Sequence, residues 1–77
     1  MYVYILQSTE GNHFYTGITK EVSQRLAKHN AGQVISTAQH RPWRLRSYSW
    51  FDDSKRAYAF ERYLKSGSGR TFALRHF

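Results

Sequence analysis

Two short runs near the start of the chain, "YVYIL" at residues 2–6 and "FYTGI" at residues 14–18, constrain its fold more than any other feature. Both are rich in aromatic and β-branched residues, and the turn composition "EGNH" lies between them, so they are expected to pair as an antiparallel β-hairpin. Elements that could cover such a hairpin follow in order. Thr19 is placed to cap a helix through "KEVSQRLAKHN", which the signal Asn30 to Gly32 ends. "QVISTAQHRPW" reads as a loop. "RLRSYSWF" reads as a third strand, with Leu45, Ser47 and Ser49 alternating against Arg46, Tyr48 and Trp50. Asp52 or Asp53 then caps a helix running to Lys65, "SGSG" stops it, and "RTFALRHF" forms a last short helix that packs Phe72 and its neighbours back onto the sheet. The expectation is an α/β fold of order ββαβαα, a three-stranded antiparallel sheet flanked by helices. "SGSG" is too short to separate domains, so residues 1–77 are expected to form one.

The chain contains no cysteine, which leaves its core to five Phe, six Tyr and two Trp rather than to disulfides or a cysteine-bearing zinc site. No apolar run approaches a membrane span, and "MYVYIL" lacks the basic start of a signal peptide, so a cytoplasmic protein without membrane contact is expected. Twelve Lys and Arg against five Asp and Glu give a net charge of +7 and a pI near 10.2. The basic residues are spread along the chain, as on a folded basic surface, and nucleic acid is the expected partner. A ribosome-associated or merely soluble basic domain is the bland alternative.

Four of the five acids have local roles. Glu10 adjoins a turn, Glu21 falls in a first helical turn, and Asp52 and Asp53 precede a helix whose dipole they complement. Glu61 has none. In "AFERYLKS" it falls within the helical arc of Ala57, Phe60 and Leu64, where an acid costs several kcal/mol unless it is paired, protonated or bound to a metal. On the first helix Arg25 and His29, four residues apart, share the inward face with Val22 and Leu26. Taken singly they are an arginine snorkelling at an edge and a histidine satisfied by a carbonyl. Joined to Glu61 they become a set able to hold a divalent cation, grip phosphate and move a proton, which suits phosphodiester cleavage. Tyr4 and Tyr15 place hydroxyls at the centres of paired strands, and each needs a partner. Gly17 marks a bulge or a close approach by a ligand or by backbone.

"YVYIL", "YTGIT", "RLAKHNAG", "RPWRL" and "FERYLKSGSGR", in that order and spacing, resemble the GIY-YIG nuclease domain of excision-repair nuclease subunits, homing endonucleases, some restriction enzymes and small stand-alone bacterial proteins. By that resemblance Tyr2-Val3-Tyr4 and Tyr15-Thr16-Gly17 stand for the two tripeptides, and Arg25, His29 and Glu61 for the family's arginine, histidine and metal-binding glutamate. The first tripeptide lacks its glycine. Ile18 replaces a lysine present in some members, whose role would pass to Lys28, Lys65 or nothing, and His76 is the nearest counterpart of a late asparagine.

The resemblance implies an endonuclease acting on DNA, in repair or processing, with one Mg²⁺ or Mn²⁺ on Glu61 and no small-molecule cofactor. Tyr4 or Tyr15 would be the general base, Arg25 would neutralise phosphoryl charge, and His29 would orient the base or relay its proton. Gly17, Lys28, Arg62, Lys65 and Arg70 are the expected substrate contacts. Two alternatives stay open: a catalytically silent nucleic-acid-binding module of the same fold, and an interaction domain in which Glu61 pairs with an arginine such as Arg25.

Overall fold

In a computed structural model, which describes residues 1–77, the hairpin forms as β1 (Tyr2–Ser8) and β2 (Phe14–Thr19). Helix α1 (Val22–Asn30), a 3-10 turn (Ile35–His40), strand β3 (Trp43–Trp50) and helices α2 (Ser54–Lys65) and α3 (Gly67–His76) follow. The strands make one antiparallel sheet in the order β2-β1-β3. The expected ββαβαα order is therefore present, with a short 3-10 helix of about two turns inside the segment expected to be a loop.

Pleating divides the central strand between two cores. Val3 and Ile5 point to one face, where they meet Ala57 and Leu64 of α2, with Phe60, Phe72, Ala73 and Phe77 around them. Phe72 returns to the sheet as its sequence pattern predicts. Tyr4 and Leu6 point to the other face, where Trp43, Leu26 and Leu45 cover them. The sheet is thus a middle layer with α1 on one side and α2 and α3 on the other. All four residues Val3 to Leu6 are buried, as a central strand covered on both faces requires.

Local chemistry accounts for the element ends, with three corrections to the sequence reading. Helix α1 is capped by Glu21, whose carboxylate accepts from the Ser23 N–H at 3.2 Å; Thr19 instead closes a turn by accepting from the Glu21 N–H. Its far end is a Schellman motif: Gly32, at φ +78°, takes the left-handed conformation, and the Gly32 and Gln33 N–H groups bond the His29 and Lys28 carbonyls. Asp53 caps α2 as expected. "SGSG" does not separate the last two helices by a linker, because Ser66 alone caps α3 and Gly67 to Gly69 are already its first turn.

The third correction concerns β3. Ile5 pairs with Ser47 and Leu6 with Leu45, so Arg46 is an extra residue in a β-bulge. The regular alternation therefore breaks: Leu45, Tyr48 and Trp50 share a face with Tyr4, and Arg46 is re-aimed to the face of Gln7 and Phe14.

Candidate active site

The site is built where His29 of α1 meets Tyr4 of β1 and Tyr15 of β2. Tyr4 is 1% exposed, and its hydroxyl lies 2.8 Å from Nε2 of His29, which is fully buried. His29 Nδ1 lies 2.7 Å from Oγ1 of Thr37, itself 1% exposed, and that hydroxyl donates onward to the Val34 carbonyl at 3.3 Å. The chain of donors favours one tautomer. With its proton on the Val34 carbonyl, Thr37 Oγ1 accepts from His29 Nδ1–H, which leaves Nε2 as a lone pair accepting from the Tyr4 hydroxyl. Every buried side-chain polar atom in the molecule has a partner.

Asn30 locks this arrangement to the sheet: its side chain donates to the Trp43 carbonyl and accepts from the Trp43 N–H, at 2.9 and 2.6 Å. The Trp43 indole N–H bonds the Thr37 carbonyl at 2.8 Å. Thr37 is the residue that sequence reasoning missed, since "ISTAQ" reads as an ordinary loop. Its only signal would be a partner eight residues earlier.

Gly17 faces Tyr4 across the hairpin. A Cβ there would lie 2.5 Å from the Tyr4 hydroxyl oxygen and 2.6 Å from Cζ, so the bare backbone makes room for the phenol end. The close approach expected of this glycine is by the protein's own side chain. Tyr15 is half-buried beside it, with ring centroids 4.9 Å from His29 and 6.2 Å from Tyr4.

Arg25 stands one turn before His29, and its charge acts on both tyrosines. Burial raises the Tyr4 phenol above its ordinary 10.0; Arg25, as a hydrogen-bonding partner and a positive charge, pulls it down, while Tyr15 and Glu61 push it up. Burial, then the positive Arg25, holds His29 below its ordinary 6.5, so the imidazole is neutral at neutral pH.

Glu61 approaches from α2, near enough for its charge to reach Tyr4. Its side chain is 15% exposed and pairs with Lys65, one turn on, at 3.0 Å. The alternative pairing with Arg25 is not made. Lys65 also lies 6.0 Å from the Tyr15 ring centre, which ties α2 to the edge strand β2. No cluster of three or more His, Asp or Glu residues exists in the chain. What Glu61 offers is one carboxylate among phenols and cations, and that fits a hard cation that keeps most of its waters and takes further oxygens from a phosphate.

Tyr4, Tyr15, Gly17, Arg25, His29, Glu61 and Lys65 thus come together. The side chains of Lys28 and Arg62 are exposed and make no hydrogen bond or ion pair. Arg70, in the first turn of α3, lines a separate cleft with Lys65. His76 is exposed and tilts over Phe72 at 4.7 Å, in the last turn of α3. No helix is long and apolar enough to cross a membrane.

No solved structure matches the chain. A UPF0213 protein of Lacticaseibacillus paracasei is 40% identical over 65 residues, covering 83% of this chain and 72% of that protein. A UPF0213 protein of Streptococcus pyogenes serotype M5 is 34% identical over 74 residues, covering 95% and 79%. The family model of the GIY-YIG catalytic domain matches residues 1–73, a span that takes in both tyrosine strands, the Arg25–His29 helix and Glu61, and the chain belongs to that family.

Proposed function

We propose that this chain, as a single nuclease domain, is a divalent-metal-dependent endonuclease that hydrolyses phosphodiester bonds in DNA during repair or processing. One observation carries this reading. A phenol hydrogen-bonded to a neutral buried imidazole stands with a guanidinium and one poorly exposed carboxylate on a molecule of net charge +7.

Tyr4 is the better candidate for general base, because it alone of the two phenols has an acceptor for its own proton. Its lone pairs can take a proton from an attacking water while its O–H proton passes to His29 Nε2. The imidazolium so formed keeps its Nδ1–H on Thr37. The transfer is concerted, so no free phenolate has to form against the burial that raises the Tyr4 pKa. Tyr15, half-buried, positions the water or the phosphate. Arg25 stabilises the charge growing on the phosphoryl oxygens. Glu61 would hold Mg²⁺ or Mn²⁺, which supplies Lewis-acid stabilisation and a more acidic water. Lys65 is the partner that Glu61 would give up, and it then becomes free to meet the substrate backbone.

The Glu61–Lys65 pair is also what favours the second reading, a module that binds nucleic acid without cutting it. The deciding experiment offers labelled single-stranded, duplex, flap and junction DNA, and an RNA, with Mg²⁺, with Mn²⁺ and with chelator. Metal-dependent cleavage of a DNA substrate is expected. Binding without cleavage of any substrate in either metal supports the second reading instead.

A further inference from the structure

A cleft of about 540 Å³ lies on the sheet face opposite His29, between β2 and the helices α2 and α3, and the chemistry above uses only its edge, at Tyr15 and Lys65. Ile5, Leu64 and Ala73 are among its apolar lining residues, Arg46, Lys65 and Arg70 among its cations, and no acid lines it. Its volume is within the range of small-ligand sites. Phe14 stands on its wall with 42% of its surface exposed, although it is a strand residue that could have been polar.

Arg46 reaches this cleft because of the β-bulge, which takes it out of the alternation of β3. Its guanidinium is fixed by Nε to the Phe77 carbonyl at 2.7 Å and by Nη1 to Gln7 Oε1 at 3.0 Å, and it lies 5.4 Å from the Phe14 ring centre. An aromatic ring beside an immobilised cation offers a base a stacking partner and a positive charge that adds to the attraction. Lys65 and Tyr15 belong both to the cleft and to the active site, so the two share a wall.

We propose that the cleft holds one unpaired nucleotide of the DNA strand, its base against Phe14 and the apolar lining and its phosphate between Lys65 and Arg70. Charge complementarity selects an anion, since three cations line the space against no lining acid, and the one carboxylate that pairs with any of them, Glu61 on Lys65, stands outside the lining. The ring selects a base whose face is free, and in a duplex both faces of a base are covered by its neighbours. The identity of the strand as substrate rests on the nuclease reading; the occupancy of the cleft does not, and it is measured in chelator.

The test is equilibrium binding of labelled single-stranded and duplex oligonucleotides in EDTA to the parent, Phe14→Ala and Arg70→Ala, with amide NMR shifts on adding a 5′-phosphorylated dinucleotide. Phe14→Ala should weaken single-strand binding by roughly five-fold or more while leaving duplex binding nearly unchanged. Arg70→Ala, at an exposed position, should lower the salt dependence of single-strand binding by about one ion, and it keeps the test open should Phe14→Ala not fold. The dinucleotide should shift Phe14, Thr16 and Ala73. Single-strand binding unchanged in both variants, equal losses on duplex and single strand, or shifts confined to the α1 face would overturn the proposal. A parent that cuts nothing in Mg²⁺ yet binds in this way removes the nuclease reading and leaves the cleft assignment standing.

Discussion

Replacing Thr37 with valine keeps the side-chain shape and deletes one oxygen, the acceptor of the His29 Nδ1–H. Both residues are at most 1% exposed, so no water takes its place. A buried donor left without a partner costs about 1–3 kcal/mol, and in a domain of this size each kcal/mol lowers the melting temperature by about 4–8 °C. A fall of at least about 4 °C is expected. His29 can escape the penalty by moving its proton to Nε2, but that nitrogen then faces the Tyr4 hydroxyl as a donor, and the tyrosine proton loses its acceptor. Cleavage should drop about 10²-fold or more although Tyr4, Arg25 and Glu61 are all present. Thr37→Ser keeps the oxygen and should restore both properties. Calorimetry gives the stability, a nicking assay the rate, and imidazole ¹⁵N shifts the tautomer, which a merely structural role for Thr37 would leave unchanged. A valine variant that melts with the parent and keeps its proton on Nδ1 would refute the reasoning.

Gly17→Ala would put a methyl group 2.6 Å from Tyr4 Cζ and 2.9 Å from Tyr15 Cε2, so a ring held by His29 must move; a loss of about 1–3 kcal/mol is expected, and an unchanged denaturation midpoint would count against the close packing. Tyr4→Phe should lose about 10²–10⁴-fold in rate and Tyr15→Phe distinctly less; the reverse order, in two folded variants, would move the general base to Tyr15. His29, held below 6.5 in the folded protein, accepts a proton later than in the unfolded chain. Its contribution to stability is therefore complete above pH 6.5 and is lost as the pH falls from there through the folded value. Cleavage should fade over the same acid range as the imidazole stops accepting the Tyr4 proton, and a rate that instead rises on acidification would exclude the relay.

The parts legible in the sequence are those with a strong short-range period. The hairpin, the helix from Ser54 to Lys65 and the misfit of Glu61 on its apolar face all follow from residue spacing, and so does the shared face of Arg25 and His29. The parts that were not legible depend on distant partners. "WRLRSYSW" alternates without a break in its letters, and only the pairing of Leu6 with Leu45 shows that Arg46 is bulged. Thr19 and Glu21 are both able to cap a helix, and the backbone geometry at Glu21 decides between them. Thr37 looks like any loop hydroxyl until the 3-10 turn carries it under His29. The ion pair of Glu61 with Lys65 is within local reach, at i and i+4, but the spacing of the letters equally allows a partner such as Arg25 on the other helix.

The central claim is that Glu61 serves a divalent cation and not the fold. Glu61→Gln keeps the size of the side chain and removes its charge. It breaks only a pair with a half-exposed lysine, which is worth well under about 1 kcal/mol. One comparison therefore tests the claim: nicking by parent and variant across a Mg²⁺ or Mn²⁺ titration, with a thermal melt of each. The account predicts a variant that melts within a few degrees of the parent, as so weak a pair implies, and does not cut at any metal concentration. A folded variant that cuts as the parent does would contradict it.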